Sequence, residues 1–305
     1  MASMQIRPST VDDAEAVVAL VREVYPLVTL TADSWRHRNE TTPPRARLQT
    51  LAAEVDGVFA GRSEAGLNFL ATGRPSAYVG IAVHERFRRR GIGAVLLERA
   101  EAHIATLGAP RILSSFFESE AGVRFARAHG FHQVRAEWWS VADPRELTLE
   151  PAAPVRPAAE VDPRVLHHID EAATRDMPYT DDIDEIPYEE WLGHVWRHPL
   201  FVREGSFVAY ADDGEPAAVS FLIADRASGR ATSMFTGTLS DYRGRGLAVA
   251  AKVAAMRWAA ANGITQVATT NDDTNAPMLA VNAKVGFRPA GRNVEYLRES
   301  DRGER

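Results

Sequence analysis

The stretch DYRGRGLAVAAK at Asp241–Lys252 decides the fold of this chain, because a similar stretch, RFRRRGIGAVLLERA, occurs earlier at Arg86–Ala100. Each stretch contains an arginine followed three residues later by a glycine. Each also follows an apolar, strand-like run and leads into a segment with helical periodicity. Glycine at such a turn supplies backbone conformations that other residues rarely adopt. The same strand, turn and helix are therefore predicted twice.

The spacing of these landmarks indicates an internal duplication. Arg88 and Arg243 are 155 residues apart, and the glycines of two Gly-Phe pairs, Gly130 and Gly286, are 156 residues apart. The predicted order of strands and helices around the landmarks is also similar in the two halves. A spacing held to one residue across separate landmarks is the signature of repeated structural units.

A proline-rich segment separates the two halves. It runs from Pro144 to Pro163 and contains five prolines, a composition typical of a linker. The chain has 305 residues, enough for two domains at roughly 150 residues each. We therefore predict an N-terminal domain at residues 1–148 and a C-terminal domain at residues 149–305.

Composition excludes several classes of function. The net charge of -6 argues against a nucleic-acid partner, and the absence of cysteine excludes disulfides, thiolate metal ligands and a cysteine acyl-enzyme. No apolar run approaches the ~20 residues that span a membrane, and the first ten residues do not resemble a signal peptide. We expect a cytoplasmic protein without a membrane partner. Two similar domains in one chain can imitate a dimer, so both a monomer and a homodimer stay open.

The repeated loop is suited to binding an anion. The first N–H groups of a helix have no partner within the helix, and the helix dipole places about half a positive charge there. Arg88 or Arg243 can add a charged hydrogen bond to a phosphate. Neither loop contains the lysine and hydroxyl of a Walker phosphate loop, and neither follows the first strand of its fold, as a Rossmann glycine motif would.

These residues resemble the signature of the GNAT superfamily of N-acetyltransferases, and the second half is similar to a bacterial subgroup. The tandem resemblance covers most of the chain. The signature falls on Arg88, Arg89, Arg90, Gly91, Ile92 and Gly93 and again on Arg243, Gly244, Arg245, Gly246, Leu247 and Ala248. The subgroup pattern is matched by Asn275, Met278, Asn282, Gly286 and Phe287.

The resemblance implies an α/β (α+β) protein with two tandem GNAT folds, each a mixed, splayed, mostly antiparallel β-sheet flanked by helices. Acetyl-CoA would be the cosubstrate, with its pyrophosphate on the arginine loop. The cofactor would also contact Val83, Thr238 and Leu239, where the preceding strands end, and the side chains of Asn275 and Asn282. No metal is expected, since His194 and His198 have helical spacing but no evident third ligand.

The resemblance also implies direct attack of an amine on the thioester in a ternary complex. Relatives often use a tyrosine acid four residues before the glycine of the closing Gly-Phe, but Ala126 and Asn282 occupy those positions here. Asn282 is the candidate in its place. The acidic loop at residues 176–190 offers Asp182 and Glu185 as candidate bases and would attract a cationic amine; a solvated acidic loop is the alternative.

We expect the second half to be catalytic, because it keeps polar side chains where the thiol arm of the cofactor would pass. The predicted function is acetyl transfer from acetyl-CoA to the primary amine of a small, cationic molecule. Acetylation of proteins or peptides and an acyl-CoA-binding regulator without activity are the alternatives. Lys252, on the helix after the second loop, is expected to face solvent, with the 3′-phosphate of CoA as an alternative partner.

Overall fold

The computed structural model describes residues 3–70, 75–177, 180–181 and 184–299. They form two compact units. The first comprises Met1–Ala136, Thr180–Asp184 and Arg292–Arg305, and the second comprises Glu137–Tyr179 and Glu185–Gly291. Segments from the C-terminal half of the sequence belong to the first unit, and the domain boundary between residues 148 and 149 stays a prediction.

Over the described residues the chain forms twelve strands and eight α-helices. The strands are β1 (Met4–Pro8), β2 (Gln49–Val55), β3 (Val58–Leu67), β4 (Ser76–Val83), β5 (Arg111–Phe117), β6 (His132–Ala142), β7 (Val155–Pro157), β8 (Phe207–Tyr210), β9 (Pro216–Asp225), β10 (Arg230–Thr238), β11 (Gln266–Asp272) and β12 (Arg288–Glu299). The helices are α1 (Ala14–Val24), α2 (Ala32–Thr41), α3 (Ile92–Leu107), α4 (Glu120–Ala128), α5 (Pro163–Thr174), α6 (Tyr188–Trp191), α7 (Leu247–Ala261) and α8 (Ala276–Lys284).

The sheet of the first unit has the order β1-β2-β3-β4-β5-β12. Neighbouring strands are antiparallel except β4 and β5, which are parallel. The last place is filled by the end of β12, where Asn293–Glu299 pairs with β5. A strand from the C-terminus of the sequence therefore completes the sheet of the first unit.

The sheet of the second unit has the order β6-β11-β10-β9-β8-β7, and only β10 and β11 are parallel. Here the last place is filled by Glu137–Ala142, the end of β6, which pairs with β11. The two units therefore have the same strand order, and each takes its last strand from the other half of the sequence. The predicted architecture of two mixed, mostly antiparallel sheets flanked by helices is confirmed.

Local sequence signals explain several boundaries. The Asp56-Gly57 pair, a sequence that favours hairpin turns, makes the tight turn between β2 and β3, with positive φ at both residues. Helix α3 begins at Ile92 and ends before Gly108, whose φ of 70° allows the left-handed conformation that stops many helices. Helix α7 packs against β8, β9 and β10 through small and apolar side chains, which places the second loop at the end of β10.

Candidate functional site

In the second unit the two parallel strands diverge and leave a cleft. β10 and β11 pair only over Arg230–Thr232 and Gln266–Ala268, although both strands continue for several residues. The hydroxyl of Thr269 donates to the carbonyl of Ser233 at 3.1 Å where the ladder ends. Beyond that point the facing backbone edges are free of the ladder, so an extended ligand can hydrogen-bond between them.

A β-bulge alters the wall of this cleft. Ser233 pairs with Leu222 and Phe235 pairs with Phe221, so Met234 is an extra residue in β10 relative to β9. A bulge bends its strand and changes the direction of the backbone groups that follow it. In the first unit the β3–β4 register runs without such a shift from Gly61–Val83 to Leu67–Ala77. Only the second of these two strand pairs therefore carries a bulge next to the cleft.

The two arginine loops have nearly the same conformation. Gly91 and Gly246 have φ values of 81° and 79°, and each precedes the first residue of α3 or α7. The guanidinium Nε of Arg88 donates to the carbonyl of Val83 at 3.1 Å, and that of Arg243 donates to Thr238 at 3.3 Å. The duplication inferred from sequence therefore extends to side-chain hydrogen bonds.

Both loops leave room for a ligand at the helix start. A Cβ added to Gly91 or Gly246 would meet no atom within 4 Å, so the space beside these residues is open. The first N–H groups of α3 and α7 have no partners within the helix, and both helices exceed ten residues. Each loop is therefore a candidate phosphate site.

The remaining predicted residues of the loops have different surroundings. Ile92 and Leu247 are buried in the core, so only their backbones can face a ligand. Arg90 and Arg245 extend over the rings of Phe87 and Tyr242 and donate to backbone carbonyls within their own loops. Arg89 and Gly244 adopt positive φ. Leu239 donates its N–H to the carbonyl of Ala217. Gly93 and Ala248 lie in the first turns of α3 and α7.

The asparagines of the subgroup pattern lie on α8 and at its start. Asn275 caps α8 by accepting a hydrogen bond from the Met278 N–H at 3.2 Å. Asn282 is almost fully buried and donates through Nδ2 to Asn271 Oδ1 on β11. Asn271 is thus hydrogen-bonded to Asn282 in the structure.

Lys252 does not face solvent, and the prediction that it does is wrong. The side chain is 1% exposed, with Nζ 2.5 Å from Asn282 Oδ1 and 4.8 Å from the centroid of the Phe287 ring. The buried Nζ is bonded to Asn282, so it offers no exposed amine to the alternative partner, the 3′-phosphate of CoA. Burial lowers the pKa of the ammonium group to about 7.

The acidic loop is not uniformly solvated. Asp176 forms an ion pair with Arg243 of the second loop, and the exposed Glu185 forms one with Arg175. Asp181 is buried in the first unit, where it bonds Arg111, Ser76 and Asn68. Candidate Asp182 lies outside the described residues.

Asp170 on α5 is a carboxyl group that the sequence reasoning missed. It accepts hydrogen bonds from Trp191 Nε1 at 2.6 Å and from the Thr174 hydroxyl at 3.3 Å. Burial raises its pKa to about 6. One turn later, Ala173 packs so closely on Gly237 of β10 that a Cβ at Gly237 would lie 2.5 Å from the Ala173 Cβ. Asp170 is therefore near the bulged part of β10, on the face opposite α7.

In the first unit, a phenylalanine and a glutamate pack around the corresponding loop and helix start. The ring of Phe125 on α4 lies 3.3 Å from the position that a Cβ of Gly93 would take, so it packs against the first turn of α3. Phe125 also packs on the core of this unit. The carboxylate of Glu23 accepts the N–H of Glu85 and approaches Arg88 to 3.9 Å. The first loop is thus open at Gly91, but the Phe125 ring occupies the space next to the first turn of α3.

Neither a metal site nor a membrane helix is found in the described part of the chain. No three His, Asp or Glu side chains there cluster in a way that could hold a metal ion. His198 accepts the Leu200 N–H through Nδ1. Among the described helices, none combines the length and the apolar character needed to cross a membrane.

Comparison with known proteins finds acetyltransferases and a tandem GNAT protein that are similar to this chain. A curated relative, Mycothiol acetyltransferase from Nocardioides sp., is 26% identical over 240 residues, which cover 73% of this chain and 81% of the relative. A tandem GNAT protein from the clavulanic acid biosynthesis pathway has a TM-score of 0.74 at 20% identity and covers 99% of this chain and 100% of its own. A GCN5-related N-acetyltransferase from Sphaerobacter thermophilus has a TM-score of 0.70 at 20% identity, with 97% and 95% covered.

The sequence profile of the Acetyltransferase (GNAT) family matches twice, over residues 14–131 and 166–287. Each match contains one arginine loop and ends at or next to the phenylalanine of one Gly-Phe pair. Because the two matches together cover well over half of the sequence, the chain belongs to the Acetyltransferase (GNAT) family, whose members use acetyl-CoA.

Proposed function

We propose that this protein transfers acetyl from acetyl-CoA to the primary amine of a small molecule, and that the second half performs the reaction. The observation that carries the proposal is the splayed β10–β11 pair, with its bulge at Met234, next to the open helix start at Gly246. In the first half the equivalent strands also splay, but the register shift is absent and Phe125 packs against the loop helix.

The phosphates of acetyl-CoA would bind the N–H groups of residues 244–248 at the start of α7. Open space beside Gly246 and the exposed guanidinium of Arg243 support this placement. Arg243 is held by Asp176, and a phosphate would compete with that carboxylate. The thioester arm would then run into the cleft past Thr238 and Leu239, toward the asparagines on β11 and α8.

Asp170 is our candidate for the base that takes the proton from the attacking amine. A base works best when its pKa is close to the working pH, and burial raises that of Asp170 to about 6. Of the acids proposed from sequence, Glu185 is exposed and paired with Arg175, which favours Asp170 over it. Asp182 stays a second candidate. A partly buried carboxylate near aromatic rings also favours a cationic acceptor.

Two other functions remain as alternatives. The name of the curated relative favours a small acceptor over acetylation of proteins or peptides. An acyl-CoA-binding regulator without activity is favoured by one observation, the absence of a tyrosine at positions 126 and 282. Acid assistance contributes typically ~10²–10⁴-fold, so its loss lowers a rate without abolishing the reaction.

The test is acetyl transfer by the purified full-length chain to a broad panel of amines, with CoA release as the readout and mass spectrometry of the products. We expect transfer to at least one small amine and its loss in Gly246→Glu, with Gly91→Glu as the matched control. Acetylated peptides without any acetylated small amine would favour the protein substrate. Tight binding of acetyl-CoA with no transfer to any member would favour the regulator.

A further inference from the structure

Three polar side chains form a chain of hydrogen bonds on the α7 face of the second sheet. Lys252 Nζ donates to Asn282 Oδ1, and Asn282 Nδ2 donates to Asn271 Oδ1. An ammonium group has donors and no acceptor, so the oxygen of Asn282 must face Lys252. The nitrogen of Asn282 then faces Asn271, which fixes the Asn271 oxygen inward. We call these three residues the polar triad.

The fold does not need polar residues at these positions. In the first unit, Leu97 on α3 corresponds to Lys252, Phe116 on β5 to Asn271 and Ala126 on α4 to Asn282. The loop arginines align the first pair, the parallel ladders the second and the helix caps the third. All three are apolar and pack in the core cluster of that unit or against it. Burying a lysine and an amide costs free energy that apolar residues avoid. A role other than folding is therefore indicated for the triad.

The outer end of the triad lies at the cleft. Asn271 is three residues beyond Ala268, the last residue of β11 that pairs with β10. Alternate residues of a strand share a face, so Asn271 projects to the same side of the sheet as Thr269. The Thr269 hydroxyl donates to the Ser233 carbonyl where the β10–β11 ladder ends. Asn271 is only partly buried, and within the described residues its Nδ2 has no hydrogen-bond partner. The two N–H donors of this amide are thus left over at the cleft.

We propose that Lys252 is a positioning residue that, through Asn282, aims the Nδ2–H of Asn271 at the sulfur of the departing CoA thiolate. The inference rests on the proposed function. In the transfer the amine nitrogen bonds to the acetyl carbon, the C–S bond breaks and its electron pair stays on sulfur. The amine proton goes to the base on the other face of the sheet. The triad moves no proton; it stabilises the thiolate by a hydrogen bond.

The experiment compares the binding of CoA with that of desulfo-CoA, which lacks only the sulfur, by calorimetry with the full-length chain. Measurements are made at pH 7, where part of the Lys252 population keeps its charge, and above the ordinary thiol pKa of about 8.5, where the thiolate dominates and the neutral amine of Lys252 still carries N–H donors. The variants are Lys252→Met, Asn271→Ala and, as the matched control, Lys284→Met at the exposed lysine on α8. Lys252→Gln keeps an N–H donor and serves as the conservative variant.

We expect the wild type and Lys284→Met to prefer CoA over desulfo-CoA. The preference falls about tenfold or more in Lys252→Met and Asn271→Ala, the usual effect of losing a hydrogen bond to a charged group. Lys252→Gln recovers part of it. Because desulfo-CoA retains all other contacts, its unchanged affinity in each variant shows that the site is folded.

Two results would overturn the inference. An unchanged ratio in both variants shows that the triad does not reach the sulfur. An equal loss for both ligands shows that it holds another part of the cofactor arm, such as an amide carbonyl, or only the fold. In either case the proposed function survives, because the cofactor still binds the wild type. If the wild type binds neither ligand, the proposed function fails together with this inference.

Discussion

Replacing Lys252 by methionine is expected to stabilise the protein at neutral pH, although it removes a buried hydrogen bond. Burial lowers the pKa of Lys252 from 10.5 to about 7. At about 1.4 kcal/mol per pKa unit, the lysine costs the folded state roughly 5 kcal/mol at and below pH 7, as an upper estimate. Methionine leaves Asn282 Oδ1 without its donor, which costs about 1–3 kcal/mol. The variant should therefore be more stable by a few kcal/mol.

The sign of the pH dependence follows from the same pKa. Between pH 7 and pH 10.5 the unfolded chain keeps the lysine proton while the folded chain loses it, so raising the pH stabilises the wild type relative to the variant. The advantage of Lys252→Met should shrink from pH 7 upward and vanish or reverse near pH 10. Below pH 7 it should be constant.

Urea unfolding followed by tryptophan fluorescence at a series of pH values measures this difference. Trp258, one of the six tryptophans that contribute to this signal, lies on α7 with Lys252. Lys284→Met, at the exposed lysine of the chain, should show no such trend. A stability difference between Lys252→Met and the wild type that does not change with pH, or a variant less stable at pH 7, would refute the reasoning.

Three further predictions concern α5 and the acidic loop. Asp170→Asn should lower kcat about 10²–10⁴-fold. The kcat/KM of the wild type should fall as the pH drops through about 6, where the Asp170 carboxylate becomes protonated. A pH profile that is flat across this range would contradict the role of Asp170 as the base. Gly237→Ala should destabilise by about 1–3 kcal/mol, because the new Cβ would collide with Ala173, and Ala173→Gly should restore part of the loss in urea unfolding. In the same assay, Asp181→Ala should lower the free energy of unfolding by about 3–5 kcal/mol, because Asp181 is buried. Glu185→Ala should lower it by less than about 1 kcal/mol, because Glu185 is exposed, so equal losses would contradict this account.

The parts of the fold that depend on local signals could be predicted from sequence. The glycine turn at residues 56–57, the end of α3 before Gly108 and both arginine loops each rest on a residue with a special backbone preference. The resemblance between the loops then gave the family. The pairing of β12 with β5 could not be predicted in this way, because it joins segments far apart in sequence that carry no register signal of their own.

The site was harder to predict, for reasons that differ between residues. Helix α7 is apolar on nearly all sides, so the sequence does not show which face Lys252 occupies. Asp170 could have been found, since it lies on the apolar face of α5 with Leu166, Ile169 and Ala173. The burial of Asp181 depends on Arg111, which comes from the other half of the sequence. The bulge at Met234 adds one residue to β10 relative to β9, and no sequence motif indicates it.

The central claim is that acetyl-CoA binds the loop of the second half. Gly91 and Gly246 have nearly equal φ, and neither has an atom within 4 Å of an added Cβ, so substitutions there form a matched pair. Glutamate at either position adds bulk and negative charge where a phosphate would bind, while glutamine adds only the bulk and backbone strain.

The most direct measurement is a calorimetric titration of acetyl-CoA into the wild type, Gly91→Glu and Gly246→Glu, with the two glutamine variants as controls for strain. We predict that the wild type and Gly91→Glu bind acetyl-CoA, that Gly246→Glu does not, and that Gly246→Gln retains weakened binding. Binding that survives Gly246→Glu, or that is lost in Gly91→Glu instead, would contradict the account.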